Sequence, residues 1–327
     1  MLWYLPLEHL DQRYTTLMDE QVVRTLRRRG IEYRRIYGEP LSATIDTGAF
    51  LDAASTSHFK ATQLATMAQA FRDGEVKDGD KFLVSDLWFP GIESIPYMAY
   101  FHKVKVDVWG IAHAGSWTET DFVRDMREWA RPIEVGWFEF AKGVFVGSWW
   151  HRHELCAIRN RCAASKVHVT GLAFSTKDIW KLIGPLPPKR DLVVMAGRLD
   201  DEKQPWHFDE IAERIGGDVE FVKTYERRLD KVSYLRLLAE AKVIFSAALQ
   251  ENFGYAVLEA ATVGATPVVP DRLAYREMYP AECRYGDLDE AEQLVRRYLA
   301  EPLDVSHVPA RFDGSVGRML DAMGLRR

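Results

Sequence analysis

Short apolar segments alternate with helical patterns along all 327 residues, and this alternation leaves few folds open. Segments such as Phe82–Val84 and Val144–Val146 have the length of buried strands and end at small or polar residues. Segments such as Thr16–Arg29 and Phe59–Phe71 carry apolar residues three and four positions apart, which is the spacing of one helix face. Repeated strand-then-helix order is typical of parallel, doubly wound sheets. The sequence therefore predicts an α/β protein.

A proline-rich segment, residues 183–190, divides this alternation into two halves and holds three of the fourteen prolines. Proline stiffens the chain and blocks regular pairing, so we expect an interdomain linker there. We predict two Rossmann-like domains, residues 1–184 and 191–305, and a C-terminal helix in residues 306–327 that packs back on the N-terminal domain. Ligands of such sheets bind beyond the carboxyl ends of the strands. The chemistry is therefore expected at the strand-end loops of both domains, facing a cleft.

Composition excludes several classes of protein. The net charge is −5 and 47% of the residues are hydrophobic. These values exclude a disordered chain and a uniformly basic chain. No apolar run approaches the ~18 residues of a membrane span, and Met1–Glu8 has no basic region, so it is interpreted as a strand and not a signal peptide. The three cysteines have no CxxC spacing and are expected to be inert thiols in the cytoplasm: Cys156, Cys162 and Cys283. His151 and His153 are two positions apart, not four, so no metal site is predicted.

The strongest chemical signal is the segment Glu251–Glu259, which reads Glu-Asn-Phe-Gly-Tyr-Ala-Val-Leu-Glu. A helix is expected to begin near Tyr255, with free backbone N–H groups at Phe253–Tyr255 that favour an anion. Carboxylates accept hydrogen bonds from hydroxyls, so a polyhydroxylated ligand with a diphosphate suits the segment. The spacing alone also fits a helix cap at Glu251 and a surface charge at Glu259.

A second signal follows the strand predicted at Asp191–Ala196. Gly197 stands at the strand end, where a glycine lets a ligand approach the backbone closely. Arg198 and Lys203 are five positions apart in the same loop, and their side chains can bind two phosphates. A solvated turn, in which the neighbouring acids pair with these cations, is the alternative interpretation.

Together these segments resemble the GT-B glycosyltransferases, specifically the retaining enzymes with an E-x7-E motif. Gly197-Arg198-Leu199 with Lys203 resembles their G-R-L-x3-K loop, and Glu251–Glu259 resembles their E-G-F-G-x4-E segment with Asn252 in place of glycine. The resemblance implies sugar transfer from a nucleotide sugar to an acceptor hydroxyl, with retention at the anomeric carbon. It implies no metal and no cofactor. The co-substrate would be a UDP-sugar such as UDP-glucose, or a GDP-sugar.

The resemblance also implies roles for single residues. Glu251 would hold the hydroxyls of the donor sugar as a catalytic residue, and Glu259 would accept from the ribose hydroxyls. Arg198 and Lys203 would bind the pyrophosphate. The implied donor-binding set is Gly197, Arg198, Lys203, Phe253, Gly254, Tyr255 and Glu259.

The N-terminal half departs from the family pattern, because Glu8–Thr16 takes the place of a Gly-Gly loop. Arg13 and Tyr14 in this segment are candidate acceptor-side residues, although Arg13 would equally suit a structural salt bridge. His113 resembles the family's strand-end histidine near the donor sugar and is a candidate catalytic residue, with a core histidine as the alternative. Asp86 ends another predicted strand and is a further acceptor-side candidate or a structural loop aspartate.

Six arginines within twelve residues form a basic patch: Arg24, Arg27, Arg28, Arg29, Arg34 and Arg35. Their place near a helix C-terminus is favourable for dipole reasons alone, but they also suit contact with nucleic-acid phosphates. Together with the atypical N-terminal loop, the patch is a feature by which the chain resembles phage-encoded DNA glucosyltransferases. This resemblance implies a hydroxymethylated pyrimidine of DNA as the acceptor, in the host cytoplasm. The enzyme would extrude that base from the duplex. The alternatives are a glycosyltransferase for a surface polysaccharide or small molecule, and an inactive nucleotide-sugar-binding scaffold.

Overall fold

The computed structural model describes residues 1–10, 14–41, 52–121, 123–157, 164–198 and 200–326. Its contacts divide the chain into two compact units. The first unit comprises Met1–Gly147, His151–Leu172 and Ser315–Arg327, and the second comprises Ser148–Trp150 and Ala173–Gly314. Each unit is built around one parallel sheet, which confirms the predicted α/β fold class.

The first sheet has six parallel strands in the order β2-β1-β3-β4-β5-β6. The strands are β1 (Leu2–Leu5), β2 (Tyr33–Arg35), β3 (Lys81–Val84), β4 (Asp107–Ile111), β5 (Gly143–Val146) and β6 (Val167–Val169). The register pairs Leu2 with Lys81 and Lys81 with Asp107, so the carboxyl ends of β1, β3 and β4 meet at one edge. β1 ends before Pro6, whose nitrogen has no hydrogen to donate, so the strand is shorter than its apolar run.

The helices of the first unit cover this sheet. They are α1 (Thr15–Arg28), α2 (Ala53–Arg72), α3 (Ser94–Phe101), α4 (Arg127–Phe140), α5 (Trp149–Ala157, whose first two residues belong to the second unit) and α13 (Ser315–Ala322). α2 begins earlier than the predicted Phe59, because the Asp52 side chain accepts hydrogen bonds from the backbone N–H groups of Ala54 and Ser55 and caps the helix. The core includes the stacked rings of Phe71 and Phe82.

The second sheet has five parallel strands in the order β11-β10-β9-β7-β8. The strands are β7 (Arg190–Met195), β8 (Glu220–Lys223), β9 (Ala241–Phe245), β10 (Thr266–Pro270) and β11 (Arg284–Tyr285). Its helices are α6 (Thr176–Ile183), α7 (Pro205–Ile215), α8 (Lys231–Glu240), α9 (Tyr255–Thr262), α10 (Tyr275–Met278), α11 (Leu288–Ala300) and α12 (His307–Ala310). Phe208, Phe245 and Tyr285 pack together in the core of this unit.

The division between the units differs from the one expected from the prolines. α6 packs against α8 and α9, so the chain enters the second unit at Ala173, before the proline-rich segment. That segment is also tied to the second unit, because the Lys189 Nζ atom donates to the carbonyl oxygens of Ala241 and Val263 at 2.7 and 3.1 Å. These carbonyls follow the last residues of α8 and α9, where acceptors lack helical partners.

Near the C-terminal end of the described chain, α12 lies in the second unit and α13 packs on α1 of the first unit. The Arg29 guanidinium contributes to this packing, because it donates to Asp321 at 2.7 Å and lies against Gly317. The segment assigned from the sequence to one C-terminal helix therefore divides between the two units.

Candidate functional site

The loop after β7 carries the predicted phosphate-binding residues at the carboxyl edge of the second sheet. Gly197 has φ of +118°, a conformation that favours glycine, and a Cβ atom there would meet nothing within 4 Å. Arg198 pairs with Asp200 at 2.6 Å and with Glu202 at 2.9 Å. The arginine thus lies at the predicted edge of the sheet. Its pairing with acidic neighbours agrees with the alternative interpretation of this loop, in which such acids pair with the cations.

Lys203 connects this loop to the predicted acidic segment. Its Nζ atom donates to the Gln250 carbonyl oxygen at 2.8 Å and lies 3.4 Å from Glu251 Oε2. It also lies 3.6 Å from Glu202, which pairs with Arg198. Arg198, Glu202, Lys203 and Glu251 therefore form one continuous charged cluster, although the residues come from two separate loops.

The start of α9 differs from the expectation of free backbone donors. Glu251 Oε1 accepts from the N–H of Gly254 at 2.8 Å and from that of Phe253 at 3.4 Å. Gly254 has φ of +72° and precedes the helix in the left-handed conformation. Glu251 therefore holds the turn that leads into α9 and pairs with Lys203 at the same time, one carboxylate oxygen to each.

Glu259 lies inside α9 and is buried, with 4% of its surface exposed, so it is not a surface charge. Its Oε1 atom accepts from Lys231 Nζ at 2.6 Å. Burial, together with the charge of Glu259 and a hydrogen bond to it, raises the pKa of Tyr234 well above its ordinary value. Lys231 and Tyr234 hold this carboxylate from α8, and no sequence motif pointed to either of them.

Phe253 and Tyr255 belong to the packing around the helix start. Phe253 is buried, and its ring packs edge-on against Tyr255 and Phe312. The Tyr255 hydroxyl donates to the Ala173 carbonyl oxygen at 3.1 Å. These side chains therefore support the loop that leads into α9.

In the first unit, His113 in the loop after β4 contacts both Ser85, which follows β3, and Tyr14, which directly precedes α1. His113 Nε2 lies 2.8 Å from the Ser85 carbonyl oxygen, and Nδ1 lies 3.2 Å from the Tyr14 hydroxyl. A carbonyl oxygen only accepts, so Nε2 carries the hydrogen, and in the neutral imidazole Nδ1 accepts from Tyr14. Two of the predicted residues thus form one hydrogen-bonded pair at the carboxyl edge of the first sheet.

Asp86 directly follows Ser85, which contacts His113, but its carboxylate is engaged by structural partners. Its Oδ2 atom accepts from Lys60 Nζ at 2.8 Å, and its Oδ1 atom accepts from the Trp88 N–H at 3.1 Å. The contacts of Asp86 correspond to the structural loop aspartate described above. Arg13 lies outside the described residues.

The six arginines of the basic patch separate into two groups. Arg29 pairs with Asp321, Arg34 with Glu75 and Arg35 with Asp19. Arg24, Arg27 and Arg28 are exposed on α1. α1 follows β1 and runs back along the sheet, so its last turns lie toward the amino edge of the sheet. His113 and Tyr14 lie at the opposite, carboxyl edge, and a 14-residue helix is about 21 Å long.

The described residues contain neither a candidate metal centre nor a candidate membrane-spanning helix. Across the described ranges, no group of three or more His, Cys, Asp or Glu side chains is arranged to hold a metal ion. His151 is buried, and burial lowers its pKa to about 3, whereas His153 is exposed. In the same part of the chain, no helix is both long and apolar enough to cross a membrane.

Comparisons with known proteins address the fold and one segment. No protein-family model matches the chain. An 83-residue segment is 38% identical to the tRNA-queuosine alpha-mannosyltransferase of Drosophila melanogaster, and it covers 25% of this chain but only 21% of that relative. The match therefore spans about a fifth of that protein.

Two solved structures match nearly the whole chain. An α,α-trehalose-phosphate synthase from Burkholderia vietnamiensis has a TM-score of 0.65 at 13% identity, over 99% of this chain and 98% of its own. WaaG, a glycosyltransferase involved in lipopolysaccharide biosynthesis, has a TM-score of 0.58 at 12% identity, over 98% and 99%. With its two parallel-sheet units, the chain has the GT-B fold of these glycosyltransferases.

Proposed function

We propose that the chain transfers a sugar from a nucleoside diphosphate sugar to an acceptor hydroxyl, with retention at the anomeric carbon. The proposal depends above all on Glu251, which joins the cation Lys203 to the N–H groups of Phe253 and Gly254 just before α9. Cations and a helix N-terminus at one place suit a departing diphosphate, whose negative charge develops in the transition state. Glu251 then holds hydroxyls of the donor sugar, and Glu259 holds those of the ribose.

Binding of a diphosphate requires the charged cluster to rearrange. Arg198 is paired with Asp200 and Glu202, so the donor must compete with two carboxylates for the guanidinium. A diphosphate can do so, because it offers a higher charge and bidentate acceptors. UDP-sugars and GDP-sugars share this diphosphate, so both are candidate donors.

Retention and the enzyme class draw support from the relatives. The Drosophila melanogaster relative is named an alpha-mannosyltransferase, and the structural neighbours include a UDP-forming α,α-trehalose-phosphate synthase. An inactive scaffold is the weaker alternative, because such a protein has no need of Arg198, Lys203, Glu251 and Glu259 together. In this proposal, His113, Tyr14 and Asp86 serve the acceptor side.

For the acceptor, we propose a hydroxyl on a modified nucleic-acid base, such as a hydroxymethylated pyrimidine of DNA. Two observations favour a nucleic acid: the exposed Arg24, Arg27 and Arg28 on α1, and a relative that is named for tRNA-queuosine. A net charge of −5 disfavours general coating of nucleic acid, so contact would be local. The second candidate is a polysaccharide precursor, which is favoured by the fold shared with WaaG.

The test is release of nucleotide diphosphate from a panel of radiolabelled UDP- and GDP-sugars, with and without acceptors. We expect donor hydrolysis or transfer with one nucleotide class. Glu251→Gln keeps an oxygen for the cap but removes the charge, and it should lower transfer by about 100-fold or more. The matched control is Glu213→Gln on the exposed face of α7. Full activity of Glu251→Gln, or no reaction with any donor, would reject the proposal.

A further inference from the structure

The loop after β10 carries an exposed arginine that has no acidic partner. Within the described residues, no carboxylate pairs with the guanidinium of Arg272. The carboxylate of the preceding residue, Asp271, is already shared, because Arg276 Nη2 and Arg284 Nη1 lie 3.1 and 2.5 Å from its two oxygens. The loop therefore presents a positive charge that the protein itself does not neutralise.

Neutral acceptors hold this guanidinium in one place. The Nε atom of Arg272 donates to the Ala248 carbonyl oxygen at 3.2 Å. Its Nη2 atom donates to the Ala247 carbonyl oxygen at 3.1 Å and to Gln204 Oε1 at 3.2 Å. Across the part of the chain that the structure describes, Nη1 has no hydrogen-bond partner, so its two N–H groups are left for a ligand. A guanidinium that is already fixed loses little side-chain freedom on binding.

The contacts of Arg272 lie beside those of Lys203. The loops after β7, β9 and β10 are neighbours at the carboxyl edge of the sheet, and Gln204 directly follows Lys203 in the first of them. Lys203 Nζ donates to the Gln250 carbonyl oxygen, two residues beyond the Ala248 carbonyl that holds Arg272. Two residues of chain span at most about 7 Å, so one short segment anchors both cations.

Two residues beside these contacts have a strained backbone. Gln204 has φ of +49° and Leu273 has φ of +61°, a left-handed conformation that side chains disfavour. The turn at Leu273 leads to the N–H of Ala274, which donates to the Glu251 carbonyl oxygen at 3.4 Å. Strained residues cluster at functional sites, so the loop after β10 is a candidate part of the site at Lys203 and Glu251.

The charges already described at this site are not sufficient for an anion. Two cations, Arg198 and Lys203, pair with three carboxylates, those of Asp200, Glu202 and Glu251. Acidic groups are therefore in excess before a ligand binds, and a diphosphate needs a further cation.

We propose that Arg272 binds the diphosphate of the donor through its Nη1 atom, as a third cation beside Arg198 and Lys203. This rests on the proposed function, because the ligand is the diphosphate of that donor. Guanidinium groups suit this ligand, since their N–H groups form charge-assisted hydrogen bonds with phosphate oxygens.

The test measures the affinity of the full chain for uridine, UDP, guanosine and GDP by titration calorimetry. Arg272→Gln should weaken binding of the preferred diphosphate about tenfold or more and leave the affinity for its nucleoside unchanged, because a charge-assisted contact is lost. The matched control is Arg276→Gln in the same loop, whose side chain is 64% exposed and held by Asp271, and it should change neither affinity. Equal affinity of Arg272→Gln and the unchanged protein for the diphosphate would overturn the inference. Failure of the unchanged protein to bind UDP or GDP would instead reject the proposed function.

Further variants separate a phosphate contact from support of the neighbouring loop. If Arg272 only positioned Lys203, Arg272→Gln would cost no further affinity in a Lys203→Met background. We expect a further loss of at least about fivefold there, because the guanidinium contacts the diphosphate itself. Arg272→Lys keeps the charge without the planar fork, so its loss should be smaller than that of Arg272→Gln. No further loss in the Lys203→Met background, or equal losses for the lysine and glutamine variants, would assign Arg272 to the fold alone.

Discussion

Replacement of Lys231 by methionine should destabilise the second unit strongly, because it leaves Glu259 buried without its cation. The Glu259 side chain is 6% exposed and that of Lys231 is 16% exposed, and the two charged atoms lie 2.6 Å apart. Breaking a buried pair from one side costs about 3–5 kcal/mol. Since Lys231 retains some access to water, we expect the lower end, about 3 kcal/mol, for Lys231→Met.

Replacement of the partner, Glu259→Gln, should cost less stability than Lys231→Met, and the double variant should recover part of the loss. Glu259→Gln keeps the shape of the side chain and leaves an ammonium group that reaches water, so we expect a loss of about 1 kcal/mol. In the double variant no buried charge is left unpaired, and its loss should fall below the sum of the single losses by about 2 kcal/mol. Burial and the charge of Glu259 raise the pKa of Tyr234, so its hydroxyl stays protonated and supports the glutamine as well.

The assay is urea unfolding near neutral pH, followed by circular dichroism and tryptophan fluorescence, for both single variants and the double variant. Lys242→Met is the matched control, because its partner Asp191 is 58% exposed and such a pair contributes about 1 kcal/mol or less. A loss below about 1 kcal/mol for Lys231→Met, or strict additivity of the two changes, would refute the reasoning. In the proposed reaction, Lys231→Met should also raise the donor KM more than it lowers kcat, since Glu259 serves the ribose.

Three other predictions follow from single features. Burial lowers the pKa of His151 to about 3, so below about pH 6.5 the unfolded state binds a proton that the folded state does not. At about pH 4.5 the free energy of unfolding should therefore be lower by about 2–3 kcal/mol, and His151→Phe should not show this loss. Urea midpoints measured near pH 6.5 and near pH 4.5 check this. Replacing both Arg27 and Arg28 by alanine should lower the salt dependence of binding to DNA and tRNA oligonucleotides by about one unit of slope per lost phosphate contact, and an unchanged slope would remove the basic patch from the proposal. Gly254→Ala should cost about 1–2 kcal/mol, because φ is +72° and the new Cβ atom would lie 3.3 Å from Tyr275. Gly136→Ala in α4 meets no atom within 4 Å and should be neutral or stabilising, and thermal melts of both variants check this.

Much of the fold could be predicted because its information is local. The helix expected to begin near Tyr255 does begin there, since a left-handed glycine stands before it and Glu251 holds the preceding turn. α3 and α4 were not identified from the sequence. In α4, Pro132 lies within the helix and apolar side chains such as Trp129 and Ile133 are exposed, so no single buried stripe marks it. Packing against the sheet, and not local pattern, determines such a helix.

Only part of the candidate site could be predicted from the sequence, because only part of its information is local. The strand-end position of Arg198 and Lys203 follows from the order of strands, which a sequence reveals. The partners of the acidic residues do not, because Lys231 and Glu259 are 28 positions apart and meet only when α8 packs beside α9. A structural role for Glu251 before the helix was visible as an alternative in the sequence, but its simultaneous contact with Lys203 was not.

The first unit is interrupted in the sequence, and this has a consequence for the order of events during synthesis. α1 can acquire its packing against α13 only after the ribosome has translated the entire second unit. A nascent chain that ends before residue 315 would display the uncovered side of α1, including Arg29 without Asp321. Until then the N-terminal half is an incomplete domain, exposed to chaperones and proteases, whereas the segment from 173 to 314 can already close on itself.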